Sequence, residues 1–385
     1  MARKLQSDKW LFLATLALVG ASVVMVYSAS AVLALERFQQ PYLFVTKQLM
    51  WAILGMALLS VVMRIDYRSY RNERLQWTLL AVVAVLLVAV LFSPRINGSR
   101  RWFAVGPLGI QPSEFAKLVA IMFVAAVLER RMHRVNELHY SLLPIALVVG
   151  ALVGLVLIEP DLGNALSIVL VVGSMVFIAG LSYRYIAGAM LLALPTLYVL
   201  VWSVEYRRRR FLAFLDPWAD PLGDGFQIIQ SMIAIGTGGL AGQGLMGGVQ
   251  KLFYLPEPHT DFIFAVIGEE LGLIGTTVVI GCFCVIAWRG LRTSLRAPDA
   301  FGSLLALGLT MMIVLQAFIN ISVVMGLLPT KGITLPLVSN GGSSLLVNLL
   351  ALGVLLNISQ HGSSATERVV EVMPPQVPAP EMGAA

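Results

Sequence analysis

Charged side chains are scarce in this sequence. Asp, Glu, Lys and Arg make up only 12% of its 385 residues, against about 25% in a typical soluble domain. Hydrophobic residues make up 58%, more than the core of a water-soluble protein can hide. The composition therefore excludes a soluble globular protein and predicts that lipid surrounds most of the chain. The apolar runs are continuous and do not alternate, which favours membrane-spanning helices over the strands of a membrane barrel.

Cysteine and histidine are also few. Cys282 and Cys284 lie in one apolar segment at a spacing that does not bring helical side chains together, so neither a disulfide nor a metal site is expected. The four histidines show no metal-ligand spacing. No Walker motif is present, which argues against ATP-driven work. The net charge of +6 has no soluble basic domain to carry it, which argues against nucleic-acid binding.

Ten apolar segments can be drawn along the chain, and crossing a bilayer takes roughly 20 apolar residues. They cover residues 10–30, 42–63, 76–92, 114–128, 142–158, 163–181, 185–203, 262–288, 301–327 and 335–358. The first is longer than the apolar part of a signal peptide, so we interpret it as a span. The sequence predicts an all-α polytopic membrane protein with about ten transmembrane helices.

Lys and Arg in short loops set the orientation of such a protein. They concentrate in alternate loops, with Arg64, Arg68, Arg71 and Arg74 together in one of them. This bias predicts that both termini are cytoplasmic. One long extracytoplasmic loop, about residues 204–261, then separates spans seven and eight, and a loop of this length usually has a function. The transmembrane domain would cover residues 1–360, and residues 361–385, rich in Pro, Glu and Ala, are predicted to form a disordered cytoplasmic tail.

The block from Leu255 to Phe264 contains Asp261, at the end of the long loop and the start of span eight. Asp261 could cap the free N–H groups of that helix, or act as a general base that takes a proton from a substrate hydroxyl. Glu269 and Glu270 follow about two turns later, where buried charge suggests function or a paired contact. Glu269 is the better cavity candidate, the alternative being a hydrogen-bonding anchor between helices.

A second polar block lies in the outer loop after span three. Arg100 and Arg101 could bind lipid head groups or a phosphate-bearing substrate, and Trp102 could be an interface aromatic or a site residue. The block leads into residues 111–117, where we expect Ser113 to cap the fourth helix.

Further polar groups lie within or beside the spans. Glu114 and Lys117, three residues apart, are expected to pair on one helix face unless Lys117 serves a substrate. The run from Arg207 to Arg210 could bind anionic head groups or a pyrophosphate. Gly341 and Gly342 are predicted to break the tenth helix, or else to allow tight helix packing.

Taken together, these blocks resemble the SEDS family (shape, elongation, division and sporulation proteins), which comprises the FtsW and RodA proteins of bacteria. The resemblance covers the chain to about Gln360. It rests on 97–102, 111–114, 159–163, 259–264 with 269–272, and 341–344. The versions of 250–257 and 328–332 are those of the division type, FtsW.

The resemblance implies a glycosyltransferase that polymerises lipid II into peptidoglycan at the outer face of the bacterial cytoplasmic membrane, at the division septum. It implies a class B penicillin-binding protein and divisome proteins as partners, Asp261 as the catalytic residue and a functional role for Trp102. Candidates for binding substrate are Arg100, Arg101, Trp102, Glu114, Lys117, Arg210, His259, Glu269, Lys331 and Ser343. No cofactor is identified, although a divalent cation (Mg²⁺ or Mn²⁺) could neutralise the pyrophosphate.

Two alternatives stay open at this point. A lipid II flippase would need polar residues through the whole depth of the membrane, and Lys117, Glu269 and a broken tenth helix could supply them. A non-catalytic scaffold could instead activate the penicillin-binding protein. The densest charged blocks lie at the outer face, which favours the polymerase.

Overall fold

The computed structural model describes residues 7–94, 99–105, 108–252 and 254–362. Asn97, Gly98 and the predicted tail beyond Gly362 lie outside the described residues. Twelve α-helices are described: α1 Lys9–Phe38, α2 Leu43–Val62, α3 Glu73–Val90, α4 Pro112–Arg131, α5 Leu143–Ile158, α6 Leu162–Ile178, α7 Tyr183–Trp202, α8 Glu205–Leu215, α9 Phe226–Gly238, α10 Ile263–Arg296, α11 Ala300–Val324 and α12 Gly342–His361. A short antiparallel hairpin, β1 Phe103–Val105 with β2 Leu108–Ile110, precedes α4.

Each of the ten predicted apolar segments coincides with one of these helices, so the prediction of a helical polytopic membrane protein is confirmed. Among the described residues, eight helices are long and apolar enough to cross a membrane. Of the other two candidates, α6 has 17 residues and α4 carries the charged residues Glu114 and Lys117. The count of ten spans stays a prediction.

The core of the molecule lies where α4, α11 and α12 meet. Most residues of these three helices are buried. Around them, α12 packs against α2, α11 packs against α6 and α10, and α10 packs against α1 and α9. By contrast, α7 packs mainly against α8, and no residue of α7 with a described side chain is buried. The central helices therefore form a rigid support, and α7 stands at the periphery.

Two predicted details of the helix ends are wrong. The tenth predicted segment began at residue 335, but α12 begins at Gly342 with Gly341 as its N-cap. The glycine pair therefore starts the helix and does not break it, but the alternative of tight packing holds at Gly342, where an added Cβ would collide with the Trp51 ring of α2. In α4, Gln111 is the N-cap and Pro112 occupies the first helical position, a place that suits its fixed φ. Ser113 lies inside the first turn and does not cap the helix.

The predicted long outer loop, about residues 204–261, contains α8 and α9, followed by an irregular stretch that returns to α10. At Gly272 the backbone of α10 leaves the helical conformation, with φ 63° and ψ −157°. Backbone groups freed there bond to residues of the outer loop: the N–H of Leu273 donates to the Gly239 carbonyl at 2.9 Å, and the N–H of Gln243 donates to the Glu269 carbonyl at 2.9 Å. Irregular backbone inside a membrane protein is tolerated where protein covers it in this way.

Candidate active site

A cavity of about 770 Å³ opens where the outer loops meet the helix ends. The loop before α4, the α5–α6 turn, α8, and the segments that precede α10 and α12 all contribute to its wall. Its charged lining includes Arg101, Asp161, Arg207, Arg210, Asp261 and Lys331. Residues distant in sequence thus converge on one polar chamber.

The Asp261 carboxylate neither caps a helix nor accepts a hydrogen bond from the described residues. The N-cap of α10 is Phe262 and the helix begins at Ile263, so Asp261 is not the predicted cap. No group among the described residues donates a hydrogen bond to this carboxylate, whereas the Asp261 carbonyl accepts one from Asn320. Burial, and next the negative charge of Glu257, raise the pKa of Asp261 to about 7. A carboxylate with a pKa near neutrality suits a general base.

Several cationic side chains face the same cavity. The Arg210 guanidinium lies 4.5 Å from the centre of the Tyr206 ring, and neither Arg210 nor Lys331 forms an ion pair with any described residue. Burial, and next the charge of Arg207, lower the pKa of Lys331. Cations held without a protein counterion can bind the oxygens of a phosphate. The cavity therefore combines one unpaired carboxylate with an anion-binding wall.

Arg101 has a different environment, because it holds the turn between α5 and α6. Its Nε donates to the Glu159 carbonyl at 3.1 Å, and another of its N–H groups donates to the Pro160 carbonyl. Asp161, in the same turn, accepts hydrogen bonds from Gln111 at 2.8 Å and from the Asn164 side chain at 2.9 Å. Arg101 thus shapes the cavity wall as well as contributing charge.

Glu159 is fully buried beside this turn, and neither of its carboxylate oxygens has a hydrogen-bond partner among the described residues. Burial, and next the charge of Asp161, raise its pKa to about 8, with Arg101 opposing the shift. Glu159 is therefore largely protonated at neutral pH. It does not line the cavity.

Trp102 lines the cavity from the start of the hairpin. A Cβ atom at Gly109 would lie 3.2 Å from the Trp102 ring, so the glycine leaves room for the indole to lie over β2. The indole therefore lies at the cavity, as its interpretation as a site residue requires.

The predicted pair between Glu114 and Lys117 is confirmed. Their side chains lie 2.9 Å apart and are almost completely buried, and Lys117 also donates to Gln316 at 2.9 Å. Gln316 in turn donates to the Thr334 carbonyl at 3.0 Å. Glu114 and Gln316 line the cavity and Lys117 does not. Lys117 therefore lies behind the cavity lining and holds Glu114 and Gln316 in place.

Glu269 does not reach the cavity. Its carboxylate accepts hydrogen bonds from the backbone N–H groups of Val249 at 2.7 Å and Gln250 at 3.0 Å. Glu269 is therefore a hydrogen-bonding anchor, as in the alternative interpretation, but it joins α10 to the loop that precedes it and not to another helix.

Three other substrate candidates also lie away from the cavity. Ser343 accepts a hydrogen bond from the Gln111 backbone at 3.1 Å, and its neighbour Ser344 lines the chamber instead. His259 is buried against Phe44, with 4.6 Å between ring centres. Arg100 donates to the Leu91 carbonyl at 2.7 Å. None of these three side chains lines the cavity, and each contacts other parts of the protein.

In the described part of the chain, no group of three or more His, Cys, Asp or Glu side chains is arranged to hold a metal ion. The acids of the cavity are dispersed or already paired. The side chains described therefore offer no ready set of ligands for the divalent cation considered above, and no step is assigned to one.

Comparison with known proteins identifies the family. Residues 9–364 match the family model FtsW/RodA/SpoVE, described as a cell cycle protein. The chain belongs to this family. The FtsW/RodA/SpoVE assignment confirms the resemblance inferred from the sequence blocks.

Relatives with assigned names extend over nearly the whole chain. A probable peptidoglycan glycosyltransferase FtsW from Geobacter metallireducens is 47% identical over 356 residues, which are 91% of this chain and 94% of the relative. Stage V sporulation protein E of Bacillus subtilis is 43% identical over 364 residues, 93% of this chain and 98% of that protein.

Solved structures share the fold. A chain from a peptidoglycan synthase complex that coordinates polymerization and crosslinking is 34% identical and superposes with a TM-score of 0.76, covering 92% of this chain and 98% of that one. The rod shape determining protein RodA of Thermus thermophilus is 29% identical with a TM-score of 0.70, covering 94% and 99%. The helical arrangement is thus that of the FtsW/RodA/SpoVE family.

Proposed function

We propose that this chain is a peptidoglycan glycosyltransferase of the FtsW type, which polymerises lipid II at the outer face of the cytoplasmic membrane for septal wall synthesis. The Geobacter metallireducens relative is named a probable peptidoglycan glycosyltransferase FtsW. The single observation that carries the proposal is the Asp261 carboxylate, which has no hydrogen-bond donor among the described residues and faces a cavity with cationic walls.

Asp261 acts as the general base. It takes the proton of the acceptor sugar hydroxyl as that oxygen bonds to the anomeric carbon of the donor, and the bond between this carbon and the pyrophosphate oxygen breaks. Lys331 and Arg210, which both line the cavity, hold the pyrophosphate that departs with the electron pair. Direct attack inverts the anomeric centre. Orienting two lipid-anchored substrates in one plane lowers the barrier further.

The proposed partner is a class B penicillin-binding protein that crosslinks the new strands, with divisome proteins recruiting both to the septum. Support comes from the structural relative, which belongs to a complex that coordinates polymerization with crosslinking. Lipid II and membrane lipids complete the set of partners, and no nucleic acid is involved.

The flippase alternative loses its main support. Lys117 is paired with Glu114 and Gln316, Glu269 is bound by backbone N–H groups, and α12 is unbroken from Gly342 onward. Because these polar groups are satisfied within the protein, they do not mark a path for a polar head group across the membrane.

The test is glycan-strand formation from lipid II by the purified protein with its penicillin-binding partner. We expect Asp261→Asn, which keeps the size of the side chain and removes the base, to abolish polymer while the protein stays folded and partner-bound. Asp220→Asn, in the outer loop away from the cavity, serves as the matched control and keeps activity. Normal polymerisation by Asp261→Asn would contradict the role of Asp261 as general base and favour a scaffold role for the protein.

A further inference from the structure

The segment that carries Asp261 ends in backbone carbonyl groups that α10 does not use. The first helical bonds of α10 run to the Phe262 carbonyl, so the carbonyls of His259, Thr260 and Asp261 need other partners. A buried backbone carbonyl without a partner is costly. The fold supplies a donor for each of these three consecutive groups.

The three donors come from distant parts of the chain. The Asn340 N–H donates to the His259 carbonyl at 2.9 Å, and the Ser339 hydroxyl donates to the Thr260 carbonyl at 2.5 Å. The Asn320 amide, on α11, donates to the Asp261 carbonyl at 2.9 Å. Asn320 and Ser339 are only 1% and 3% exposed, so water does not compete for these bonds.

Asn320 makes a second hydrogen bond, to the segment of the cavity lining that carries Lys331. Its amide also donates to the Ile333 carbonyl at 2.6 Å, two residues after Lys331. One turn earlier on α11, Gln316 donates to the Thr334 carbonyl at 3.0 Å. One amide group thus joins the backbone of Asp261 to the segment that carries Lys331.

Both the hydroxyl and the backbone carbonyl of Ser339 form hydrogen bonds. Its hydroxyl accepts a hydrogen bond from the Leu335 N–H at 2.8 Å while donating to Thr260, and its carbonyl accepts one from Gln48 of α2 at 3.4 Å. The hydroxyl therefore has one fixed orientation and ties the non-helical stretch before α12 to the catalytic segment.

We propose that Asn320 and Ser339 are positioning residues for the transfer reaction: they fix the backbone that carries Asp261, and Asn320 sets its spacing from the Lys331 segment. The inference rests on the proposed function, since it assumes that Asp261 is the base. Displacing a reacting group by about 1 Å can cost 100-fold in rate, so an effect on turnover is expected without any contact to substrate.

The experiment measures kcat, KM for lipid II and the pH dependence of kcat for Asn320→Leu and Ser339→Ala in complex with the penicillin-binding partner. Each variant removes a donor at similar side-chain size. We expect kcat to fall by about 10- to 100-fold, with KM changed by less than about twofold, and the pH midpoint of kcat to shift because the surroundings of the Asp261 carboxylate change.

Matched controls separate positioning from general stability. Asn357→Leu removes a buried amide that donates to the Met63 carbonyl at 2.9 Å, and Ser231→Ala removes a buried hydroxyl that donates to the Val324 carbonyl at 2.6 Å. Both should lower thermal stability and leave kcat and its pH midpoint unchanged. If a test variant does not fold, Asn320→Ser, which is too short to reach both carbonyls, takes its place.

The outcomes distinguish the two proposals. If Asp261→Asn is inactive while Asn320→Leu and Ser339→Ala match the controls in kcat and pH midpoint, the positioning inference is wrong and the proposed function stands. If Asp261→Asn polymerises normally, the proposed role of Asp261 fails, and the positioning inference fails with it.

Discussion

Four carboxylates line the cavity, and their surroundings give them different tasks. Glu114 is paired with Lys117, and Asp161 accepts hydrogen bonds from Gln111 and Asn164. Glu257 is exposed and accepts the Thr260 hydroxyl at 3.2 Å. Asp261 alone has neither an ion-pair partner nor a hydrogen-bond donor among the described residues. The first three carboxylates already have partners within the protein. Asp261 is therefore the candidate base because of its surroundings and not because of its residue type.

The raised pKa of Asp261 predicts a specific pH dependence. A base must be ionised, and with a pKa of about 7 the carboxylate is mostly protonated at pH 6 and mostly ionised at pH 8. The rate at saturating lipid II should therefore rise with pH through about 7 and level off above it. Removing the Glu257 charge in Glu257→Gln should shift this rise to lower pH, because that charge raises the Asp261 pKa.

Arg210→Gln should shift the rise of the rate to higher pH, since the Arg210 charge lowers the Asp261 pKa. Glu137→Gln, far from the cavity on a surface loop, is the control and should leave the profile unchanged. Measured pH–rate profiles for the three variants check the prediction. Equal midpoints in Glu257→Gln and Arg210→Gln would show that the rise belongs to another group.

At the residue scale, the sequence identified charged side chains, which are unusual in a membrane. It did not identify the uncharged side chains that hold them in place. The pair of Glu114 with Lys117 could be predicted, because charge within an apolar span is costly, whereas the role of Asp261 was left open by its residues and came from the family resemblance. Asn320 and Ser339 could not be assigned, because their contacts join residues some sixty or more positions apart. One signal was available: a buried Asn in the apolar sequence of α11 requires a partner.

At the scale of elements, two adjacent glutamates of α10 hold the outer loop in place. Glu269 binds the backbone of Val249 and Gln250. Glu270, fully buried, pairs with Lys251 at 2.5 Å and accepts the Ser28 hydroxyl of α1 at 2.7 Å. These contacts connect α1, α10 and the stretch of loop that leads to Asp261. The chain thus uses charge inside the protein to order a loop whose stretch 236–248 is rich in glycine.

Breaking the Lys251–Glu270 pair should be strongly destabilising. Lys251→Met leaves the Glu270 carboxylate buried without its cation, and a loss of about 3–5 kcal/mol is expected for an ion pair of this kind. The double variant Lys251→Met with Glu270→Gln removes both charges and should recover part of the loss. Unfolding monitored by tryptophan fluorescence in detergent measures the difference.

The control for this prediction is the pair Arg134–Glu137, whose side chains are more than half exposed. Exposed pairs contribute at most about 1 kcal/mol, so Arg134→Met should have little effect. A double variant no more stable than Lys251→Met would contradict the explanation by unpaired charge.

Hydrophobicity predicted where helices occur more reliably than where they end. Residues 335–341 continue the apolar run of α12, yet the structure gives them a non-helical path because Ser339 and Asn340 bond to the segment before α10. The break of α10 at Gly272 likewise could not be predicted from the sequence, since glycine is common in membrane helices. Both deviations depend on contacts between elements, which a single apolar stretch does not encode.

At the scale of the whole molecule, the two ends of the bundle differ in chemistry. The cavity occupies one end. At the other, the Asp8 N–H donates to the Ser359 hydroxyl at 3.2 Å, so the start of α1 meets the end of α12. The Tyr67 N–H, between α2 and α3, donates to Asn357 of α12 at 2.9 Å. The start of α1 and the end of α12 therefore lie on one face, together with the arginine-rich loop of residues 64–74.

This arrangement makes the predicted orientation testable. With the arginine-rich face in the cytoplasm, the cavity opens on the outer side, where lipid II is polymerised in the proposed function. Single cysteines at Asp220→Cys in the outer loop and Glu137→Cys near the arginine-rich face, in a background with Cys282 and Cys284 replaced by Ala, report the two sides. Both positions are exposed, so access by a reagent depends on the side of the membrane alone.

We expect a membrane-impermeant maleimide added to spheroplasts to label Asp220→Cys and to spare Glu137→Cys until the membrane is permeabilised. Labelling after permeabilisation shows that both thiols are reactive, which makes the difference one of sidedness. The reverse pattern would place Asp261 and its cationic wall on the cytoplasmic face. A polymerase that adds sugars outside the membrane could not work from there, so the orientation measurement bears directly on the proposed reaction.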